Sequence, residues 1–533
     1  MEKHSMMDVP LILSSILDYA ADWHADTEIV ARRINGSIIR STYGNVRPRV
    51  ASFGAALAAL GVEHGDRVAS LCWNTLEHFE LFYSVPCMGG VLHTVNPRLS
   101  EEHIIYIINH GGARVLVFDP ECAPIVQRIL PRLESIEHLV FIDEGGAIPD
   151  VGRPLLSYED LIASHEGPDS FPEFEEKSGA VLCYTSGTTG NPKGVLYTHR
   201  SLVLIAVASI AKDFFGGYKN GQLDCYMPIA GMFHATGWSF PHTAPISGSR
   251  LVLPGRAFDA ASLCELIQQE RVNIIGAVPT VLQTIREHLE KTGDVLDSLS
   301  AILCSGTPVP APLVSYFEER HGADVIQTWG MTESLCSSRG TRRPGTPRLP
   351  PEQRTVSGRA SWGTRVRIAD DEDNVLPNDG ETVGHLQVRG PWSANGYFNE
   401  PSSPLTQDGW LRTGDMATID PQGGIRIRDR SKDVIKSGGE WISSVEIEDH
   451  VTRMPGVRHA AVIAIPHPRW QERPLLIVQP DEGASIDRQQ IMSHLSERVA
   501  RWWLPDRIEE VSEMPLSPTG KILKSELRKQ FPA

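Results

Sequence analysis

Apolar positions along this chain follow two alternating rhythms. Val46, Val50, Phe53, Leu57 and Leu60 recur at steps of four and three, which places them on one face of a helix. Beyond the Gly61 to Val68 turn region, Val68-Ala-Ser-Leu-Cys72 has the density of a short buried strand. The alternation repeats. Leu99 to Gly112 reads as a helix and is followed by the strand-like run Arg114-Val-Leu-Val-Phe-Asp119; Leu263 to Val272 then leads into Asn273-Ile-Ile-Gly-Ala-Val278. Helix-sized segments alternating with short β-branched runs predict an α/β architecture with mostly parallel strands. The segment Thr341 to Arg354 carries four prolines in fourteen residues and predicts a surface loop.

The last hundred residues change character. After the turn-rich Asp420-Pro-Gln-Gly-Gly424, a basic and acidic run leads into two compact apolar strands, 459–466 and 473–480. A helix-like stretch, Arg488 to Trp503, follows them. This pattern predicts a small α+β domain joined near Lys432, with boundaries 1–430 and 431–533. There is no internal repeat and no low-complexity tract.

The chain has 533 residues, enough for two to four structural units and a large core. With 50 Lys+Arg against 66 Asp+Glu, the formal net charge is −16, so no basic excess exists to neutralise a nucleic-acid backbone. A small anionic ligand needs only a local cluster of donors and stays open. The eight cysteines include no Cys-x-x-Cys pair and no metal-ligand spacing, which fits reduced thiols in a cytoplasmic setting. The N-terminal apolar stretch is broken by Ser and Asp and predicts neither a secretory leader nor a membrane span.

Residues 184–194 read Tyr-Thr-Ser-Gly-Thr-Thr-Gly-Asn-Pro-Lys-Gly. Three glycines permit close backbone approach, hydroxyls come from Thr185, Ser186, Thr188 and Thr189, and Lys193 adds a point charge, as a polyphosphate requires. Gly187 and Gly190 supply the bends. This is not a Walker loop, because Gly190 is followed by Asn-Pro-Lys rather than Lys-Ser or Lys-Thr. A surface Gly/Thr hairpin is the alternative.

This loop resembles the signature of the acyl-adenylate-forming superfamily, which includes acyl-CoA synthetases, nonribosomal adenylation domains and firefly luciferase. Four further motifs occur in the family's order. Gln327-Thr-Trp-Gly-Met-Thr-Glu333 resembles the adenine and magnesium segment, and Trp410-Leu-Arg-Thr-Gly-Asp415 the ribose segment. Arg430-Ser-Lys-Asp-Val-Ile-Lys-Ser-Gly-Gly439 resembles the interdomain hinge, and Pro518-Thr-Gly-Lys521 the loop with the catalytic lysine. The resemblance implies a large N-terminal adenylate-forming domain, mixed β-sheets flanked by helices, and a mobile C-terminal α+β lid.

It also implies two steps: a carboxylate attacks the α-phosphorus of ATP to give acyl-AMP and pyrophosphate, and a thiol then displaces AMP. Negative charge accumulates in the first step, so positioned cations and donors should supply the catalysis. Lys521 would bridge the acyl carboxylate and the α-phosphate; without the other motifs it would read as a solvated tail lysine. Glu333 would bind Mg²⁺, with Thr332 placed to meet a phosphate oxygen; an acid opening a helix after a Thr cap is the alternative. Asp415 would accept both ribose hydroxyls with Arg430 beside it, or be a turn residue after Gly414. Gln327, Thr328, Gly330, Ser305, Gly306 and Thr307 complete the nucleotide-binding set. Trp329 stands where many relatives carry Tyr; it stacks on adenine or packs in the core. Lys432 would be the hinge, the Gly438-Gly439 strand would pass the pantetheine arm, and Trp441 would wall that tunnel or belong to the core.

Met232 to Trp238 resembles the family's acyl-pocket segment, which places His234, Thr236, Gly237 and Trp238 near the acid together with Val278 and Ser305. Amino-acid adenylation domains hold the substrate ammonium with an Asp where this chain has His234, which argues against an amino acid. His234 would steer the carboxylate or gate the passage, or be a satisfied core histidine. Segments beginning at His93, Lys436, His467 and Arg501 resemble the medium-chain and 3-methylthiopropionate CoA ligases. That branch tends to have Cys-Gly-Gly-Ser-Ala-Val-Pro where this chain has Cys304-Ser-Gly-Thr-Pro-Val-Pro310. Ser305 and Pro308 then predict a shorter or more polar pocket, for a short-to-medium-chain, branched or aryl acid. The partners so implied are that acid, ATP, Mg²⁺ and coenzyme A. Carrier-protein loading, a luciferase-like oxygenase and a non-catalytic nucleotide binder are the other readings. Relatives often form homodimers, but the sequence reveals no interface.

Overall fold

Unbroken β-branched runs become parallel strands covered on both faces. The computed structural model describes residues 6–145, 148–185, 191–210, 224–340, 350, 357–437, 440–517 and 521–532. Among these, the strands form four sheets.

The seven-stranded sheet runs in the order Leu156–Ser157, His138–Phe141, Ala113–Phe118, Arg67–Leu71, Val91–Thr94, Gly179–Tyr184, Gly194–Thr198. All its neighbours are parallel except the last pair. Of the predicted helices, Tyr43–Ala59 leads into the Arg67–Leu71 strand and carries the Val46/Val50/Phe53/Leu57 face, fully buried, while Glu101–Gly111 connects two of these strands and ends at Gly112, whose φ of +59° closes it. The nine-stranded sheet has a six-strand parallel centre from Glu28–Arg32 to Asp324–Met331, with antiparallel strands added at both edges.

The expectation of mostly parallel strands fails beyond residue 360. Arg365–Ala369, Gly384–Arg389, Leu411–Ile419 and Ile425–Arg430 form an antiparallel sheet. After Arg430 the chain makes a turn in which the Arg430 carbonyl accepts from the Asp433 and Val434 amides, and a different sheet begins at Ile435–Ser437. The predicted strands 459–466 and 473–480 are the hairpin Val457–His467 and Gln471–Pro480, and Arg507–Glu510 adds in parallel. Apolar residues here make clusters of their own, among them Ile435, Ile447, Val462, Leu476 and Ile491.

The helix expected over Arg488 to Trp503 is shorter, Arg488–Ser496. The chain leaves the helix at Glu497 and Ala500 is non-helical (φ −59°, ψ +142°), after which the Arg473 guanidinium donates to the Trp502 and Leu504 carbonyls (2.5 and 2.9 Å). The Pro-rich segment Thr341 to Arg354 falls outside the described residues apart from Pro350. All eight cysteines are free thiols, as their spacing implied. Among the described residues no helix is long and apolar enough to cross a membrane.

Candidate active site

Parallel strands aim their carboxyl ends in one direction, and the candidate residues sit just beyond those ends. Tyr184 leads to Thr185 from one sheet; Pro228, Ala277 and Cys304 lead to the 229–239 segment, Val278 and Ser305 from the other. Ser186, Gly187, Thr188, Thr189 and Gly190 lie outside the described residues. The two ends of their loop are closed by each other: the Thr185 amide donates to the Lys193 carbonyl (2.9 Å) and the Lys193 amide to the Thr185 hydroxyl (3.1 Å).

The 305–307 turn is braced by side chains assigned to the nucleotide. Gln327 accepts from the Val309 amide (2.8 Å) and donates to the Thr307 carbonyl (3.3 Å), and the Thr328 hydroxyl donates to the Cys304 carbonyl (3.1 Å). The Ser305 hydroxyl donates to the Thr328 carbonyl (3.2 Å), so the polarity it adds is already engaged by backbone. Gly306 adopts φ +100°, and a Cβ there would stand 3.4 Å from both Lys521 Cε and Val278 Cγ1. Lys521 is therefore in the cleft and not a solvated tail lysine, although its loop residues 518–520 lie outside the described set. Ser517 and Lys521 pin the loop's base, amide to carbonyl at 2.6 Å and amide to hydroxyl at 3.0 Å.

Burial and then the Arg430 guanidinium push the Lys521 ammonium below the ordinary lysine value of 10.5, while Asp415 and Glu333 oppose them. The charge is thus lost at lower pH than in free lysine. The adenylation rate should fall on an alkaline limb whose midpoint lies below the free-lysine range. A pH–rate profile of pyrophosphate exchange checks this, and in Lys521→Arg the limb should move upward; an unmoved limb assigns it to another group.

Neither Glu333 nor Asp415 takes its bland alternative. Glu333 follows Thr332 in the turn between strands Asp324–Met331 and Leu335–Arg339, not at a helix start. It is buried, and its Oε1 accepts from the Tyr397 hydroxyl (2.7 Å). The Tyr397 ring in turn carries the Lys193 ammonium 4.6 Å from its centroid. Tyr197 donates to the Thr332 carbonyl. Asp415 lies inside the strand Leu411–Ile419, 2% exposed, opposite Arg430 in register. Its Oδ1 accepts from Arg430 Nε and its Oδ2 from Trp329 Nε1, both at 2.8 Å. Burial raises the Asp415 carboxyl above its ordinary value, and Arg430 works against that.

Tyr397 and Tyr197 went unnoticed in the sequence. Tyr397 lies 64 residues from Glu333, and only a Gly-Tyr pair in a turn-rich stretch marks it.

The acyl-pocket segment bends in a rare way. Ala235, Thr236, Gly237, Trp238 and Ser239 all have φ between +40° and +64°. Left-handed residues other than glycine cost roughly 1–2 kcal/mol each, so surrounding contacts must hold this turn. Gly276 provides one: a Cβ on it would meet Phe240 Cε2 at 2.6 Å and Trp238 Cε3 at 3.4 Å. The Thr236 hydroxyl is buried without a hydrogen-bond partner among the described residues. Burial, then Lys521, pulls His234 down to about 4, so its imidazole is neutral at physiological pH.

The hinge and tunnel candidates lie elsewhere. The Lys432 side chain is exposed in the turn after Arg430, and Gly438 and Gly439 are outside the described residues. Trp441 is 37% exposed and lines a cavity of about 230 Å³ with Met416, Asp429 and Trp503. Successive strand residues face opposite ways, so this cavity is across the antiparallel sheet from Asp415 and Arg430.

Known proteins match this chain over nearly its full length. The AMP-binding enzyme family matches residues 17–398, and its C-terminal domain matches 446–521. The chain belongs to this family. The 3-methylmercaptopropionyl-CoA ligase of Ruegeria lacuscaerulensis is 40% identical over 532 residues, 99% of this chain and 98% of that one. The medium-chain-fatty-acid–CoA ligase of Ectopseudomonas oleovorans is 38% identical over 532 residues, 99% and 97% of the two chains. Among solved structures, an anthranilate CoA ligase, AuaEII, in complex with anthranoyl-AMP superposes with a TM-score of 0.88 at 27% identity, covering 98% of each chain.

Proposed function

We propose that this chain is an AMP-forming acid–CoA ligase acting on a short-to-medium-chain, branched or aryl carboxylic acid. The observation that carries the reading is Lys521 reaching the Gly306–Val278 wall, between Glu333, Asp415 and His234. In the first step the acid's oxygen bonds to the α-phosphorus of ATP, the α–β bridging bond breaks, and pyrophosphate leaves. Lys521 would offset charge on the acyl carboxylate and α-phosphate, Asp415 would fix the ribose, and Lys193 the departing phosphates. In the second step the CoA sulfur bonds to the acyl carbon and AMP departs, the thiol proton passing to solvent or AMP.

Mg²⁺ suits the residues present. Glu333 is a buried carboxylate with one oxygen taken by Tyr397, and no group of three or more His, Cys, Asp or Glu positioned for a metal exists among the described residues. One carboxylate with substrate phosphates is how this hard cation is commonly held; it would neutralise phosphate charge. We place the domain boundary in the turn after Arg430, where one sheet ends and the next begins. The free cysteines fit a reducing cytoplasm.

The left-handed turn that packs Trp238 and Phe240 against Gly276 supports a bounded acyl pocket. A panel from acetate to decanoate with benzoates, read as kcat/KM for CoA-dependent AMP formation, should peak below decanoate. A maximum at decanoate removes the bounded pocket. Acid-dependent pyrophosphate release without CoA-dependent AMP formation would point to carrier loading instead.

A further inference from the structure

Trp329 occupies the middle of the nucleotide segment, yet its ring belongs to the core. It is 8% exposed and clusters with Ile368, Leu386, Val388, Leu411, Ala417 and Ile425 under the antiparallel sheet. One polar atom leaves that core, the indole Nε1, and it donates to Asp415 Oδ2 at 2.8 Å.

We propose that Trp329 is a positioning residue for the nucleotide, its indole N–H orienting the Asp415 carboxylate for the ribose. The inference rests on the reading of Asp415 as the ribose acceptor. A carboxylate oxygen has two lone-pair sites. Trp329 takes one on Oδ2 and Arg430 one on Oδ1, from opposite ends of the same group. The carboxylate plane is thereby fixed, and one acceptor site remains on each oxygen, which is what a pair of neighbouring hydroxyls needs. At 2% exposure Asp415 has little water to replace a lost donor, so each of the two bonds counts fully. Arg430 is half-open to solvent and anchored by a long flexible stem, with 43% of its side chain exposed. The rigid member of the pair is the tryptophan.

Trp329→Phe keeps a large aromatic ring in the core and deletes the donor. A hydrogen bond to a charged group is worth about 1.5–3 kcal/mol, roughly ten- to a hundredfold. Pyrophosphate exchange with ATP, 2′-deoxy-ATP and 3′-deoxy-ATP measures the effect. In Trp329→Phe the KM for ATP should rise about tenfold with kcat near wild type. The KM for the deoxy nucleotides should rise less, so discrimination between ATP and its analogues narrows. In an Asp415→Ala background, adding Trp329→Phe should change that discrimination no further, because the two residues act as one unit. AMP and 2′-deoxy-AMP binding by calorimetry gives the same comparison without turnover.

Equal KM increases for all three nucleotides in Trp329→Phe would overturn the proposal, since a packing or stacking role ignores the sugar hydroxyls. Unaltered discrimination in Asp415→Ala alone would remove the ribose reading itself, and the proposal with it. Discrimination lost in Asp415→Ala but intact in Trp329→Phe would overturn the proposal alone.

Discussion

Lys521→Ala should abolish formation of the acyl-adenylate while leaving the protein able to convert a preformed acyl-adenylate and CoA into thioester and AMP. The side chain reaches the Gly306 backbone and Val278 from a loop whose base is tied by two hydrogen bonds to Ser517. Among the described residues the Lys521 ammonium has no hydrogen-bond or ion-pair partner, so the loss should appear mainly in rate and not in stability. Removing one preorganised donor from a developing charge costs about 10²–10³-fold in kcat, and an alanine here deletes a full charge as well. Pyrophosphate exchange measures the first half-reaction; thioester formation from synthetic acyl-AMP measures the second. Comparable losses in both would contradict the assignment, because the carboxylate charge that Lys521 offsets in the first step is consumed when the acyl–phosphate bond forms, before the second.

Gly330→Ala should damage the whole nucleotide strand. A Cβ at this position would lie 1.9 Å from the Leu335 carbonyl oxygen and 2.7 Å from its carbon, distances only backbone movement can relieve. Gly330 sits at the bulge where strand Asp324–Met331 pairs with Leu335–Arg339. Any relief moves Trp329 on one side and Thr332 and Glu333 on the other. Overpacking of this kind costs about 3 kcal/mol or more, visible as a lower unfolding midpoint in urea. The KM for ATP should rise with it. A stable variant with unaltered ATP affinity would show that the hairpin can open without strain. Gly330 was assigned from the sequence as nucleotide-binding; the geometry adds a second reason for glycine, the close approach of two backbones.

The chemistry was legible where it was contiguous. The phosphate loop stood out by residue type and spacing, whereas the Trp329 and Asp415 segments and Lys521 drew their roles from resemblance to family motifs. The parallel sheets were legible too, because Val68 to Cys72 and Arg114 to Phe118 bury both faces and so lose alternation. What could not be read depends on partners distant in sequence. The antiparallel sheet from Arg365 to Arg430 has short strands separated by polar turns, and half-exposed residues blur its period. Tyr397 meets Glu333 only once the chain has folded. The same holds for Trp329: its type left stacking and packing open, and the indole bond to Asp415 shows a third use. The end of the helix at Ser496, followed by the non-helical Ala500, was not marked by any glycine or proline in between.

Asp415 and Met416 are consecutive residues with unrelated neighbours, the first against Arg430 and Trp329, the second against the cavity that Trp441 lines. One strand is thus a shared wall between two chambers, with consecutive residues facing each of them. The two residues share a peptide unit, so a Met416 substitution that repacks the far chamber should also disturb the Asp415–Arg430 pair.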